Sequence, residues 1–265
     1  MSDASGSRSE FDLVARAYGV LMRAVAGETG VRVGIEGDLT WALAPLPLAV
    51  FNRVIGVRLT TDDADRRIDE TIANFTAVGA RHSWWLDPYA TPTGLGARLE
   101  ALGYLRDEQP TPGMAIDLDY LPALELPSGA SARFVTDEDG MRDSMMIAGA
   151  GFGMPDELLS PLMGLLAPVV HGATESIRIA VLSLDARPAA TALVATQGEL
   201  AGIYSVATVP ESRGRGLGRA ATLAVLHDAR DRGASTAVLE STEMGYPVYR
   251  GIGFRDLGDF RVYVR

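Results

Sequence analysis

The chain of 265 residues contains no cysteine and no lysine. Without cysteine there is no disulfide, no thiolate nucleophile and no Cys-ligated metal site. All 24 of its Lys+Arg residues are arginine. That removes the lysine of a Walker loop, the lysine of a protein kinase and any Schiff-base lysine together. Histidine is scarce: His82, His171 and His227 lie far apart, none with metal-ligand spacing, so no metal is expected and each reads as a packing or surface residue. No apolar run reaches the 18 residues of a membrane helix, and the first residues are short and polar, so neither a span nor a signal peptide is expected. The chain reads as cytoplasmic. Positive charge is also in deficit, with a net charge of −10 and both halves acidic. That argues against nucleic acid as a partner and fits either solubility or the steering of a cationic acceptor.

What is present is a core-forming composition, 47% hydrophobic, in a length suited to one large or two small domains. Residues 1–9 are small and polar and read as a disordered tail. Phe11 to Ala26 has amphipathic spacing and predicts a helix; Thr40 to Leu43 and Ala49 to Leu59 predict strands. A helix over Asp62 to Val78, a strand over His82 to Leu86, a helix over Gly94 to Leu102 and a strand over Met114 to Leu118 follow. Residues 121–130 form a proline-containing linker. The second half reads as a strand at Ala132 to Val135, two helices (about 138–152 and 156–166) and strands at 177–184, 188–196 and 200–208. A helix over 217–231, a strand over 236–240, a helix over 246–251 and strands near 254–256 and 259–264 complete it. The adjacent Trp84 and Trp85 point to opposite faces of their strand, one into the core and the other onto a face.

The most informative stretch is Thr208-Val209-Pro210-Glu211-Ser212-Arg213-Gly214-Arg215-Gly216-Leu217-Gly218-Arg219-Ala220. It leaves a strand and opens a helix. The first N–H groups of a helix have no intrahelical partner and lie at the positive end of the dipole, so such a turn is an anion cradle. Glycine at 214, 216 and 218 lets the backbone turn tightly and phosphate oxygens come close. A Walker loop is excluded by the missing lysine. Gly216-x-Gly218-x-x-Ala221 does fit a dinucleotide fingerprint, with Glu240 about 20 residues on. Against that reading, the unit follows several strands, where a dinucleotide domain starts with it.

Arg213-x-x-Gly216-x-Gly218 resembles the acyl-CoA pyrophosphate motif of the GCN5-related N-acetyltransferases (GNAT). Val209-Pro210-Glu211-Ser212 is similar to that family's strand exit, and Ser241 through Gly253-Phe254 resembles its second signature, a short helix carrying a tyrosine and ending in Gly-Phe. The resemblance covers residues 130 to 265 well and the first 120 loosely. It implies an α+β (α/β) fold with a mixed, mostly antiparallel sheet flanked by helices. It also implies acetyl-CoA as co-substrate and an amine of a small molecule or peptide as acceptor. The cofactor would rest on Val206, Ala207, Thr208, Val209, Arg213, Gly214, Arg215, Gly216, Leu217, Gly218, Arg219, Ala220 and Ser241. Tyr249 matches the family tyrosine that protonates the leaving thiolate, with Tyr246 its rival if the register differs. No carboxylate stands in Tyr204 to Thr208, where many relatives keep a general base. Glu240, at the end of the next strand, is the preferred substitute, beside Glu243, the chain-terminal carboxylate of Arg265, or an amine that arrives neutral. Glu211 reads as a helix cap.

The first half repeats the order strand, helix, strand, short helix, Gly-aromatic, which suggests tandem domains. At the loop position, however, it has Thr60-Thr61-Asp62-Asp63-Ala64-Asp65. Three carboxylates there would cap the helix and repel a pyrophosphate. Residues 10–120 are therefore expected to form a degenerate GNAT-like domain that walls the acceptor site, and 131–265 the catalytic one. A CoA-binding sensor without catalysis remains a second reading and a nucleotide oxidoreductase a third. Acceptor choice is expected to lie in residues 138–176. The sequence leaves a homodimer open.

Overall fold

The computed structural model describes residues 4–27, 29–170 and 175–265. His171 lies outside the described residues. In chain order the elements are α1 (Ala4–Ala24), β1 (Arg32–Ile35), β2 (Thr40–Leu43), β3 (Arg53–Ile55), α2 (Ala64–Thr76), β4 (Ser83–Leu86), α3 (Leu95–Ala101), β5 (Leu105–Arg106) and β6 (Thr111–Asp117). They continue with β7 (Ala130–Phe134), α4 (Glu138–Phe152), α5 (Leu159–Val170), β8 (Ile177–Leu184), β9 (Arg187–Gln197), β10 (Leu200–Thr208), α6 (Leu217–Asp231), β11 (Thr236–Glu240), α7 (Tyr246–Ile252) and β12 (Arg255–Val264). No described helix is long and apolar enough to cross a membrane.

The chain forms two compact units. The first is Met1–Met114 with Glu240–Glu243 and Asp256–Arg265; the second is Ala115–Leu239 with Met244–Arg255. The division differs from a cut at residues 121–130, because the last strand pairs inside the first unit. There β12 runs antiparallel to β4, Val262 opposite Trp85, and to β5, Tyr263 opposite Arg106.

In the first unit β1, β2 and β3 form an antiparallel run, and β3 pairs parallel with β4, Val54 opposite Trp84. Helix α1 begins at Ala4, so the described part of residues 1–9 is helical rather than a tail; further along it Phe11, Val14, Ala15, Tyr18 and Met22 are buried. The strand expected over 49–59 shrinks to three residues. Asn52, fully buried, accepts from Ala44 N at 2.8 Å and donates to Leu46 O and Arg81 O at 2.9 and 3.1 Å, holding the chain before β3 in turns. Gly56, at φ +68, ends the strand, and a Cβ there would stand 2.7 Å from that of Ala15. Both Trp84 and Trp85 are buried, so neither ring lies on an open face. His82 packs as expected, stacked on Phe75 at 4.3 Å and hydrogen-bonded to Tyr104, and burial lowers its pKa. The acids of the 60–65 turn do not cap α2. Asp63 pairs with Arg66, which lowers its pKa, and Asp65 with Arg98.

The second unit carries β7, β8, β9 and β10 as an antiparallel run, with β11 added parallel to β10. Helix α6 fills the connection between those two parallel strands. Its buried stripe includes Leu217, Ala220, Ala221, Leu223, Val225, Leu226 and Ala229. The strand–helix–parallel strand of the first unit, β3–α2–β4, thus recurs as β10–α6–β11. One continuous β12 replaces the two short strands expected at the end, passing Gly258 at φ +128.

All three tryptophans lie in the first unit, so tryptophan fluorescence reports it alone. Replacing Asn52 with Ala strands Ala44 N, Leu46 O and Arg81 O. Urea unfolding followed by that fluorescence should show a loss of about 3 kcal/mol; a change under 1 kcal/mol would mean the turn does not depend on Asn52.

Candidate active site

The expected cofactor residues from Val206 to Ala220 gather in the second unit. Strand β10 pairs with β11 over Leu200–Gly202 against Thr236–Val238 and then stops, although β10 runs on to Thr208 and β11 to Glu240. On its other edge β10 carries a bulge. Tyr204 faces Leu193 and Ala207 faces Thr191, so Ser205 and Val206 stand together opposite Ala192. Ser205 takes φ +49, a left-handed value that is strained for a residue with a Cβ. A bulge turns backbone groups out of the ladder, and here it does so where the parallel partner has left. Val209, the last of the expected cofactor residues on this stretch before the turn, has no free N–H to offer: it goes to Ala189 O at 2.9 Å.

The glycine-rich turn follows a single helical turn at Pro210–Ser212. Gly214 and Gly216 both adopt left-handed conformations, φ +74 and +78, which glycine adopts without steric penalty. Gly216 is the N-cap of α6, and no side chain caps the helix. The first bond across this start is Ala220 N to Gly216 O at 3.0 Å, so the amides of Leu217, Gly218 and Arg219 precede the helical ladder. A Cβ on Gly218 would lie 3.2 Å from Thr208 Oγ1, so the helix start rests close against the end of β10.

The arginines divide. Arg213 turns back into the scaffold, donating from Nη2 to Gly151 O at 2.8 Å and from Nε to Thr208 O at 3.4 Å. It therefore neutralises the C-terminal end of α4, where a cation is favoured by the helix dipole. Arg215 is exposed and Arg219 half-buried, and neither makes a hydrogen bond or ion pair among the described residues. Those two are the cations left beside the cradle. The residue that sequence reasoning missed is Gly151. A Cβ there would stand 2.8 Å from that of Ala207, so only glycine lets the end of α4 reach the bulge. The small-residue run Ala148-Gly-Ala-Gly151 was the visible signal.

Tyr249 sits on α7, which packs against α6. It is 7% exposed and meets Phe254 edge-on at 5.7 Å. Burial pushes its phenol up to about 12, so it keeps its proton at neutral pH. Tyr246 is half-buried one turn earlier and Glu211 is exposed; no Glu211 cap on α6 forms. His227 Nε2 donates to Pro122 O at 3.0 Å, and among the described residues no group of acids and histidines could hold a metal.

Glu240 and Ser241 belong to the first unit. Ser241 is buried, its N–H on Pro112 O at 2.8 Å and its Oγ on Thr242 O at 2.8 Å. Glu240 is not the open strand-end carboxylate that the sequence suggests. Its Oε1 accepts from Arg53 Nη1 at 2.8 Å, with the two side chains 9% and 6% exposed. The Arg53 guanidinium lies over the rings of Trp85, at 4.1 Å, and Tyr18, at 4.6 Å, and its Nε donates to Val50 O. Burial raises the pKa of Tyr18, so its ring stays neutral beneath the cation. Glu240 thus has a structural partner that no sequence spacing would reveal, 187 residues away.

Residues 159–254 match the model of the Acetyltransferase (GNAT) family. No curated protein matches the sequence. Among solved structures the chain is similar to a GCN5-related N-acetyltransferase from Kribbella flavida, with 20% identity, a TM-score of 0.71 and 95% of each chain covered. It is also similar to a GCN5-related N-acetyltransferase from Sphaerobacter thermophilus, with 18% identity and a TM-score of 0.61 over 97% of this chain and 93% of that one. A tandem GNAT protein from the clavulanic acid biosynthesis pathway is similar at 17% identity and a TM-score of 0.60, over 99% of this chain and 95% of that one. At these identities the likeness is one of fold, a mixed and mostly antiparallel sheet with flanking helices.

Replacing Arg53 with Met leaves Glu240 as an unpaired carboxylate with little solvent. The variant should lose about 3 kcal/mol of stability in urea unfolding. A loss below 1 kcal/mol would show the pair to be ornamental.

Proposed function

From the GNAT acetyltransferase domain that residues 159–254 carry, we propose that the protein is an N-acetyltransferase taking acetyl from acetyl-CoA to a primary amine. One observation carries this reading: the uncapped start of α6, turned by two left-handed glycines, directly after β10 has parted from β11. The amides of Leu217, Gly218 and Arg219 would receive the pyrophosphate, with Arg215 and Arg219 adding charge. The groups turned out at Ser205–Ala207 would bind the thioester and stabilise the oxyanion.

The amine nitrogen attacks the thioester carbonyl carbon, the C–S bond breaks, and the thiolate takes the Tyr249 proton. The buried phenol keeps its proton at neutral pH and so stays available as the donor, and the phenolate left behind, the stronger base of the two, regains a proton from water. The proton lost by the amine is assigned to water rather than to Glu240, whose Oε1 is held by Arg53. Most of the acceleration then comes from holding donor and acceptor together. The first unit repeats the strand–helix–strand order with acids at the loop position, which supports reading it as a GNAT-like domain that does not hold CoA. The engagement of Glu240 also favours a second reading, a CoA-binding module without catalysis, and turnover decides between the two.

Calorimetric titration should show acetyl-CoA binding with a Kd on the order of micromolar. Gly218→Asp, which suits the helix start but places a carboxylate in the cradle, should abolish it. Absence of binding to the native protein would sink the donor site. With a turned-over amine, Tyr249→Phe should lower kcat about 100-fold and leave the KM for acetyl-CoA unchanged. Glu240→Gln should keep kcat within about tenfold. A larger loss in a well-folded Glu240→Gln protein would return Glu240 to the role of general base.

A further inference from the structure

The first unit holds a cavity of about 730 Å³ that none of the residues of the candidate active site lines. Every residue on its wall belongs to that unit. One face of β12 forms part of it. Asp259, Arg261 and Tyr263 alternate along the strand and so share this face, while Phe260 and Val262 are buried on the other. Leu86 of β4 stands opposite Arg261, and Arg106 of β5 stands opposite Tyr263, which brings both to the same face. All five line the cavity. Pro88, Pro92 and Pro110 also line it, and their fixed φ keeps the surrounding backbone in shape.

Three donors on this face have no partner. Tyr263 is 4% exposed, yet its hydroxyl makes no hydrogen bond among the described residues. It lies against the start of α3: a Cβ on Gly96, which itself lines the cavity, would stand 2.8 Å from Tyr263 Cζ. A buried phenol ordinarily finds a hydrogen-bond partner. The side chains of Arg106 and Arg261 are exposed and make no hydrogen bond or ion pair among the described residues. They hold diagonal positions on neighbouring strands, about 7–8 Å apart at the backbone. Two guanidinium groups and a hydroxyl on one face suit a carboxylate. The acids of the cavity decide what that carboxylate must carry. Asp87 is occupied, accepting from Arg58 Nη1 at 2.9 Å and from Tyr89 N at 2.8 Å. Asp107 accepts from Gln109 N at 3.2 Å. Glu108 and Asp259 are exposed and unpaired among the described residues. Asp259 is two residues from Arg261 on the same face, about 7 Å along the strand. These carboxylates repel a bare dianion, and they favour an anion that brings its own cation.

We propose that this cavity binds a free α-amino acid with an apolar side chain. Its carboxylate lies between Arg106 and Arg261 and accepts from the Tyr263 hydroxyl. Its ammonium pairs with Asp259, with Glu108 adding negative charge, and its side chain rests on Leu86 and Pro92. The proposal does not depend on the N-acetyltransferase reading. It gives the unit that has acids in place of the glycine-rich turn a ligand of its own.

The test is calorimetric titration of the full chain with leucine, without acetyl-CoA. Leucine should bind with a Kd on the order of 100 μM. N-acetylleucine, which lacks the ammonium, and isopentylamine, which lacks the carboxylate, should each bind at least about tenfold more weakly. Inorganic phosphate should bind more weakly than leucine. Arg261→Gln should weaken leucine about 20-fold or more, and Tyr263→Phe, which removes only the hydroxyl, about tenfold. Urea unfolding followed by tryptophan fluorescence, which reports this unit, checks that both variants are folded. No leucine binding below 10 mM overturns the proposal. So does N-acetylleucine or phosphate binding as tightly as leucine, or leucine binding that neither variant changes. Whether acetyl-CoA binds has no bearing on any of these outcomes, so the two readings fail separately.

Discussion

A helix that begins without a cap leaves its first amides without acceptors, and such a start is tolerated only where water or a ligand supplies them. In this protein the start of α6 is kept in that condition by several independent features. Gly214 and Gly216 are turned to positive φ, so no side chain can fold back as a cap. Arg213, one of the three arginines of the turn, is drawn away to Gly151 O and Thr208 O. The end of β10 is held against the helix by the tight approach of Gly218 to Thr208. The bulge and the parting of β10 from β11 open space in front of it. Each feature has little meaning alone, and together they maintain one surface of unsatisfied donors.

The Arg53–Glu240 pair shows a different economy of charge. Two ions removed from water are worth having only when their geometry and neighbours are good. Here the guanidinium has a carboxylate, a backbone carbonyl and two aromatic faces. It joins residues 187 positions apart in the sequence within one unit. The same carboxylate, seen only as the last residue of a strand, looks like a catalytic group.

Local signals were read well where one element decides its own boundaries. Helix α6 and the strands from 177 to 208 follow from apolar spacing and from the glycines and prolines that bound them. The strand expected at 49–59 failed because a buried Asn52 holds the chain in turns through partners at 44, 46 and 81, which no local window contains. At the site, the glycine-rich turn and the tyrosine helix were legible as motifs. The diversion of Arg213 to Gly151, the loss of the Val209 donor to Ala189 and the partner of Glu240 were not, since each depends on a residue brought near by folding. The acids at 62–65 were read as caps, whereas arginines at 66 and 98 compete for them more strongly than backbone amides do.

Strand β12, formed by the last residues of the chain, lies between β4 and β5 in the first unit. A ribosome that has delivered residues 1–114 has delivered a sheet with a strand missing from its middle. The gap persists through synthesis of the whole second unit and closes only when Val264 emerges. The earlier unit therefore waits for residues made after the later one, and a fragment cut at their boundary would carry away the strand that it needs.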